Sequence, residues 1–151
     1  MKSIVSLRKI LMNVCKLGVV VGLVLVQSQI AANAQKVDST VYRTCAAACR
    51  ACEKACTECN AHCTAMAKNG DKSHLNSAKI SADCKVICSA AATVCEHKGP
   101  LSSVICDACE KACTACAKAC GKSPDMAPMA ACKKACDKCA DACKQMITAA
   151  K

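Results

Sequence analysis

The sequence contains no tryptophan, no phenylalanine and one tyrosine, Tyr42, in 151 residues. A conventional core of Leu, Ile and Phe is therefore unavailable. The aromatic platforms on which nucleic-acid-binding surfaces stack bases are also missing. Proline and glycine are scarce, at three and five residues, and they gather in short breaks that leave long uninterrupted stretches between them. No apolar run is long enough to span a bilayer: LGVVVGLVLV at 17–26 has ten residues, where a spanning helix needs about 20. No acid/base pair and no nucleophile with an orienting base can be recognised, so catalysis is not expected.

Cysteine is what the chain has in excess, at 19 residues. The hydrophobic fraction of 54% is largely alanine and cysteine, and a free thiol packs as a small hydrophobe. The stretch CAAACRACEKACTECNAHC (45–63) holds six cysteines at gaps of 4, 3, 4, 3 and 4. The same rhythm returns further along the chain.

Residues 1–34 read as a separate unit, an export signal removed from a mature chain of 35–151. Lys2, Arg8, Lys9 and Lys16 precede or flank the short apolar run, and Ala32-Asn33-Ala34 supplies an A-x-A cleavage site. The run beginning Ser6-Leu7-Arg8-Lys9 has the outline of a twin-arginine signal with lysine as its second basic residue. A periplasmic protein with no stable membrane association after cleavage is the resulting expectation. Removing 1–34, with four basic and no acidic residues, takes the net charge from +10 to +6. Lysine alternates with Asp and Glu in the remainder, as at Glu53/Lys54 and Asp137/Lys138. That pattern suits a solvated helical surface better than nucleic acid.

The breakers Asn69-Gly70-Asp71, Gly99-Pro100 and Gly121-Lys122-Ser123-Pro124 predict four helices, at 39–68, 74–98, 101–121 and 126–150. Cys45, Cys49, Cys52, Cys56, Cys59 and Cys63 fall on the first and Cys84, Cys88 and Cys95 on the second. The third carries Cys106, Cys109, Cys113, Cys116 and Cys120, and the fourth Cys132, Cys136, Cys139 and Cys143. Steps of 3 and 4 define one seam per helix, whereas strands would require steps of 2. Short connections then predict an all-α, antiparallel up-down-up-down four-helix bundle with a cysteine-lined core. On the second helix the seam passes Ala91 and, upstream of Cys84, meets Ser81, Ser77 and His74. The antiparallel arrangement brings Met66, His74, Met126 and Met129 to one end, with His62 one turn inside. The methionines serve there either as gap fillers or as soft ligands. Met146, on the seam at the other end, has the same two readings, and His97 suits a cation at a helix C-terminus.

Four uses of the thiols compete. Disulfides fit the even number left in 35–151, but cysteines on successive turns, or on helices facing across a bundle, are poorly placed for bridging. Each CxxC is simply the 3-step of a seam, without the βαβ context of a redox motif. Tetrathiolate zinc sites would stack uncompensated negative charge in the core. Cu(I) is soft, favours thiolate and thioether ligands, and reaches neutrality when each thiolate bridges two ions. Multiple Cu(I) ions per chain are therefore the favoured cargo. A metallothionein-like thiol or zinc buffer remains the alternative, and a disulfide-stapled structural protein the third possibility.

With its repeated CxxxCxxC helices over 45–143, the chain resembles the bacterial copper storage proteins, four-helix bundles that hold many Cu(I) ions on core cysteines. NAHCTAM (60–66) is similar to the mouth region of that family. The resemblance implies that the seam cysteines carry the store, that His62 and Met66 gate it, and that the protein forms tetramers. Helix 2 departs from the pattern in having only three cysteines.

Overall fold

A computed structural model describes residues 37–151; the expected signal segment, 1–34, lies outside them. Four α-helices follow one another: α1 Ser39–Lys68, α2 Leu75–Glu96, α3 Ser102–Cys120 and α4 Ala127–Ala149. A 3₁₀ turn, Lys72–His74, leads into α2. At 30 residues, α1 runs about 45 Å. Among the described residues there is no strand, and no helix is long and apolar enough to cross a membrane.

Capping sets the helix limits. Asp38 opens α1 by accepting a hydrogen bond from the Thr40 N–H at 2.9 Å, the usual work of an N-cap carboxylate. The helix ends in a Schellman turn: Gly70 N–H donates to Ala67 O and Asp71 N–H to Met66 O. Gly70 sits at φ 105°, a region closed to most side chains. The C-terminus of α2 closes in the same way, with Lys98 N–H to Cys95 O and Gly99 N–H to Val94 O. There the left-handed residue is Lys98, at φ 50°, one position before the glycine that marks this break in the sequence. Pro128 occupies the first turn of α4, where a missing N–H costs nothing.

The helices form a four-sided bundle, α1 beside α2 and α4, and α3 beside α2 and α4. Sulfur pairs give the directions. Cys45 meets Cys106, Cys52 meets Cys113 and Cys59 meets Cys120, a constant offset that makes α1 and α3 parallel across the diagonal. Cys45 meets Cys143, Cys52 meets Cys136 and Cys56 meets Cys132, the falling register of antiparallel neighbours. The all-α, up-down-up-down expectation with a cysteine-lined core therefore holds.

The outer surface is charged, as alternating Lys and Asp/Glu imply. Lys111 pairs with Asp107 at 2.6 Å and Lys133 with Asp137 at 2.7 Å, each one turn apart. One polar clamp joins two helices: the Arg50 guanidinium of α1 donates to both Glu96 carboxylate oxygens on α2, each at 2.9 Å.

The core consists of cysteine, alanine and two methionines. Every cysteine of 37–151 is buried and free, and Met129 and Met146 are the largest side chains withdrawn from solvent. Val37, Val41, Tyr42 and Ile147 pack against this core from its margin. Disulfides are excluded across the diagonal for a geometric reason. No Cα of α1 lies within 8 Å of one in α3, and a bridge requires less than about 7 Å. Denatured under anaerobic conditions, the eighteen cysteines of 37–151 should all titrate as thiols, and in the native state most should react far more slowly. A denatured count near zero would restore the stapled-scaffold alternative.

Candidate metal centre

The site is the core itself. Gaps of 3 and 4 place each cysteine about a turn from the next on one helix face, and four such faces point at a common axis. Successive Sγ atoms on one helix lie 3.8 Å apart at Cys52–Cys56 and 3.9 Å apart at Cys84–Cys88 and Cys109–Cys113. Lateral pairs are as near, with Cys88–Cys113 at 3.6 Å, Cys52–Cys136 at 3.5 Å and Cys45–Cys106 at 3.4 Å. A soft cation in this column finds sulfur both along and across the bundle.

The sulfurs form overlapping quartets, each with all four within 4.8 Å of one another. Cys49, Cys109, Cys139 and Cys143 make one; Cys88, Cys109, Cys113 and Cys139 make the next; Cys52, Cys84, Cys88 and Cys113 follow. Cys56, Cys116, Cys132 and Cys136 form a further quartet. Shared members, such as Cys88 and Cys113, allow one sulfur to bridge neighbouring ions. Discrete zinc knuckles share nothing of this kind.

Burial and thiol–thiol contacts move individual cysteines in opposite directions. Burial pushes the Cys63 thiol up. Cys113 is pushed up through its contacts with Cys109, Cys136, Cys139 and Cys52, with burial adding to them. Cys84 moves the other way, because Cys113, Cys116, Cys136 and Cys52 favour its thiolate. Eighteen anions cannot coexist in a dry core, so ionisation must accompany the arrival of cations.

At one end of the column the chemistry changes from thiol to imidazole and thioether. His62 Nε2 lies 3.4 Å from Met126 Sδ, and the His62 and His74 rings stand edge to face at 6.2 Å between centroids. His74 is buried, with Nε2 3.3 Å from Asp71 Oδ2. Met129 is buried at the end of the α4 seam, next in line before Cys132. Met66 stands one turn beyond His62, half-buried. Met126, which the sequence left open between filler and ligand, has the closest approach to His62. Its position three residues before Met129 was the available signal. At the opposite end Met146 is fully buried beyond Cys143, while His97 is exposed.

A family model described as copper storage protein matches residues 37–148. Among solved structures, the Cu(I)-bound copper storage protein BsCsp3 is 32% identical, with a TM-score of 0.63, covering 71% of this chain and 98% of its own. A cytosolic copper storage protein from Streptomyces lividans, with five coppers, is 25% identical at a TM-score of 0.66, covering 74% and 96%. Ccsp from Streptomyces lividans, loaded with 10 copper equivalents, is 26% identical at a TM-score of 0.68, covering 77% and 90%. No curated protein matches the chain significantly.

The cytosolic character of the Streptomyces protein overturns the expectation of an exported, periplasmic protein. The physical reason is redox. A core of free thiols survives without protection where the compartment keeps thiols reduced, and the periplasm is oxidising.

Proposed function

Because the chain belongs to the copper storage protein family, we propose that its eighteen buried thiols are the individual ligands of a multi-ion Cu(I) store filled from the His62 end. Binding and storing several Cu(I) ions on core cysteine thiolates is the function of the protein. The observation that carries the residue assignment is the continuous column of free Sγ atoms, with lateral spacings of 3.4–4.0 Å.

The ligands of this proposal are Cys45, Cys49, Cys52, Cys56, Cys59 and Cys63 on α1, Cys84, Cys88 and Cys95 on α2, Cys106, Cys109, Cys113, Cys116 and Cys120 on α3, and Cys132, Cys136, Cys139 and Cys143 on α4. His62, Met126, His74, Met129 and Met66 form the mouth. Neutral imidazole and thioether hold Cu(I) without a proton having to leave, and more weakly than thiolate. An ion would pause there and pass inward to stronger ligands. The role is sequestration rather than catalysis. A homo-oligomer, tetrameric by the family resemblance, belongs to the same proposal.

The test separates rate from capacity. In the double variant His62→Ala/Met126→Ala, loading from a chelated Cu(I) donor should slow by about tenfold, equivalent to ~1.4 kcal/mol on the barrier. Capacity should fall by no more than about an ion, because the thiols carry the store. Unchanged loading would remove the mouth from this scheme, and a collapse of capacity would place the store there instead.

A further inference from the structure

Lysines gather on one edge of the bundle, around two grooves between α3 and α4. The first, of about 710 Å³, is walled by Lys118, Lys122, Lys133 and Lys144. The second, of about 380 Å³, adds Lys134 and Lys138 and reaches Cys120, Gly121 and Pro124. Gly121 and Lys133 line both grooves. The missing side chain of Gly121 keeps their junction open, since a Cβ there would sit 3.5 Å from Lys133 Cε. Two carboxylates, Asp137 and Asp141, line the same surface. Lys133 pairs with Asp137 at 2.7 Å, and Lys144 lies 3.7 Å from Glu110 and 3.9 Å from Asp141. Lys118, Lys122, Lys134 and Lys138 have no carboxylate oxygen within 4.0 Å among the described residues. This edge carries positive charge that the protein does not itself neutralise.

Cys120 belongs to the second groove and to the thiol column at once. Its Sγ lies 3.5 Å from that of Cys59. It is fully buried, but it is the last residue of α3. Helix ends fray where interiors hold, so movement of one turn bares this sulfur. The groove is of a size for a small ligand, since sites for small molecules enclose about 300–1,000 Å³. Uncompensated lysines repel a free cation and concentrate an anion beside them. Cu(I), a soft ion, is carried as an anion when two thiolates hold it.

We propose that the lysine-lined groove between α3 and α4 binds anionic, low-molecular-weight Cu(I)–thiolate complexes and hands their copper to Cys120. In the complex Cu(SR)2, which carries one negative charge at the metal, the Cys120 sulfur forms a new bond to copper. One Cu–SR bond breaks, and the departing thiolate takes the Cys120 proton and leaves as RSH. Cys59, 3.5 Å away, displaces the second thiolate in the same way. Copper remains Cu(I) throughout, and no oxidant or reductant is consumed. The lysines act on the carrier and its anionic groups, not on the metal. The groove reaches Pro124, two residues before Met126 of the mouth, and supplements that axial entrance for donors of negative charge. The inference rests on the residue-level store proposed above and names the form in which its copper arrives.

The experiment times anaerobic loading of the apo protein from two donors with the same copper–sulfur chemistry and opposite charge. One is Cu(I) with excess mercaptosuccinate, made anionic by carboxylates; the other is Cu(I) with excess cysteamine, made cationic by ammonium groups. The wild type should load about tenfold faster from mercaptosuccinate at low salt, an advantage that shrinks as ionic strength rises. Lys122→Glu/Lys134→Glu should abolish the advantage. Lys54→Glu/Lys79→Glu, the same charge change at exposed positions of α1 and α2, should keep it. Methylthiosuccinate, which has the carboxylates and no free thiol, should inhibit loading of the wild type from mercaptosuccinate. Circular dichroism of each apo variant confirms the helices. Equal rates from the two donors, or an equal loss in both lysine variants, would overturn the groove. Inhibition by polyglutamate but not by methylthiosuccinate would also overturn it, assigning the lysines to an acidic protein partner. Failure of the wild type to take up several ions from either donor would instead overturn the store itself.

Discussion

Anaerobic addition of Cu(I) to the apo protein is expected to saturate only after many equivalents per chain, with one ion per core thiol, eighteen, as the ceiling. The sulfurs make neighbours of one another in overlapping quartets, so the number of ions is set by bridging and not by a count of separate four-ligand sites. Neutrality sets the same limit, since one cation per thiolate leaves no net charge in the core. Binding must expel protons. The Cys63 and Cys113 thiols are pushed up, so they hold their protons at neutral pH and Cu(I) must displace them. Apparent affinity therefore weakens as pH falls and strengthens as it rises, and in weakly buffered solution loading acidifies the medium. Saturation at one or two equivalents, or uptake indifferent to pH, would contradict a thiolate store.

Loading should also raise the melting temperature by tens of degrees. The apo core is built from small groups, with Met129 and Met146 the only large fully buried side chains among the described residues. Small buried groups remove little apolar surface from water, so the hydrophobic term is modest. Each ion that binds only the folded column adds RT ln(1 + [L]/Kd), about 4 kcal/mol at a thousandfold excess over Kd. For a bundle of this size each kcal/mol shifts the midpoint by about 2–8 °C, so two or three tight ions are enough. Circular dichroism melts of apo and loaded protein, with chelator added back as the reversal, measure this directly. Coincident melts would mean that copper is held outside the cooperative fold.

Much of this architecture was legible before any coordinates. The first helix was expected at 39–68 and found at Ser39–Lys68, because an N-cap aspartate and a left-handed glycine bracket it. The third and fourth helices differ from expectation by one residue at each end. At α2, expected over 74–98, the break was placed at Gly99. The Schellman turn instead puts its left-handed residue on Lys98, so the helix closes at Glu96. The nearest mouth pair, His62 with Met126, was only half visible. His62 follows from the seam, while Met126 lies at the start of α4, where a filler and a ligand have the same spacing. The export expectation rested on 1–34, a stretch that carries no information about the thiol column.

The sequence by itself determined the helices, the cysteine seam on each and the end at which histidine and methionine gather. All of these follow from spacing along one chain and from the 3.6-residue turn. Only the tertiary structure decided which sulfurs meet. A seam says that a cysteine points inward, but not whether its neighbour across the core is on the adjacent or the diagonal helix. The parallel α1–α3 diagonal, the exclusion of disulfides across it and the overlap of the sulfur quartets all depend on lateral packing. Packing joins residues 11 to 98 positions apart, and no local period encodes that.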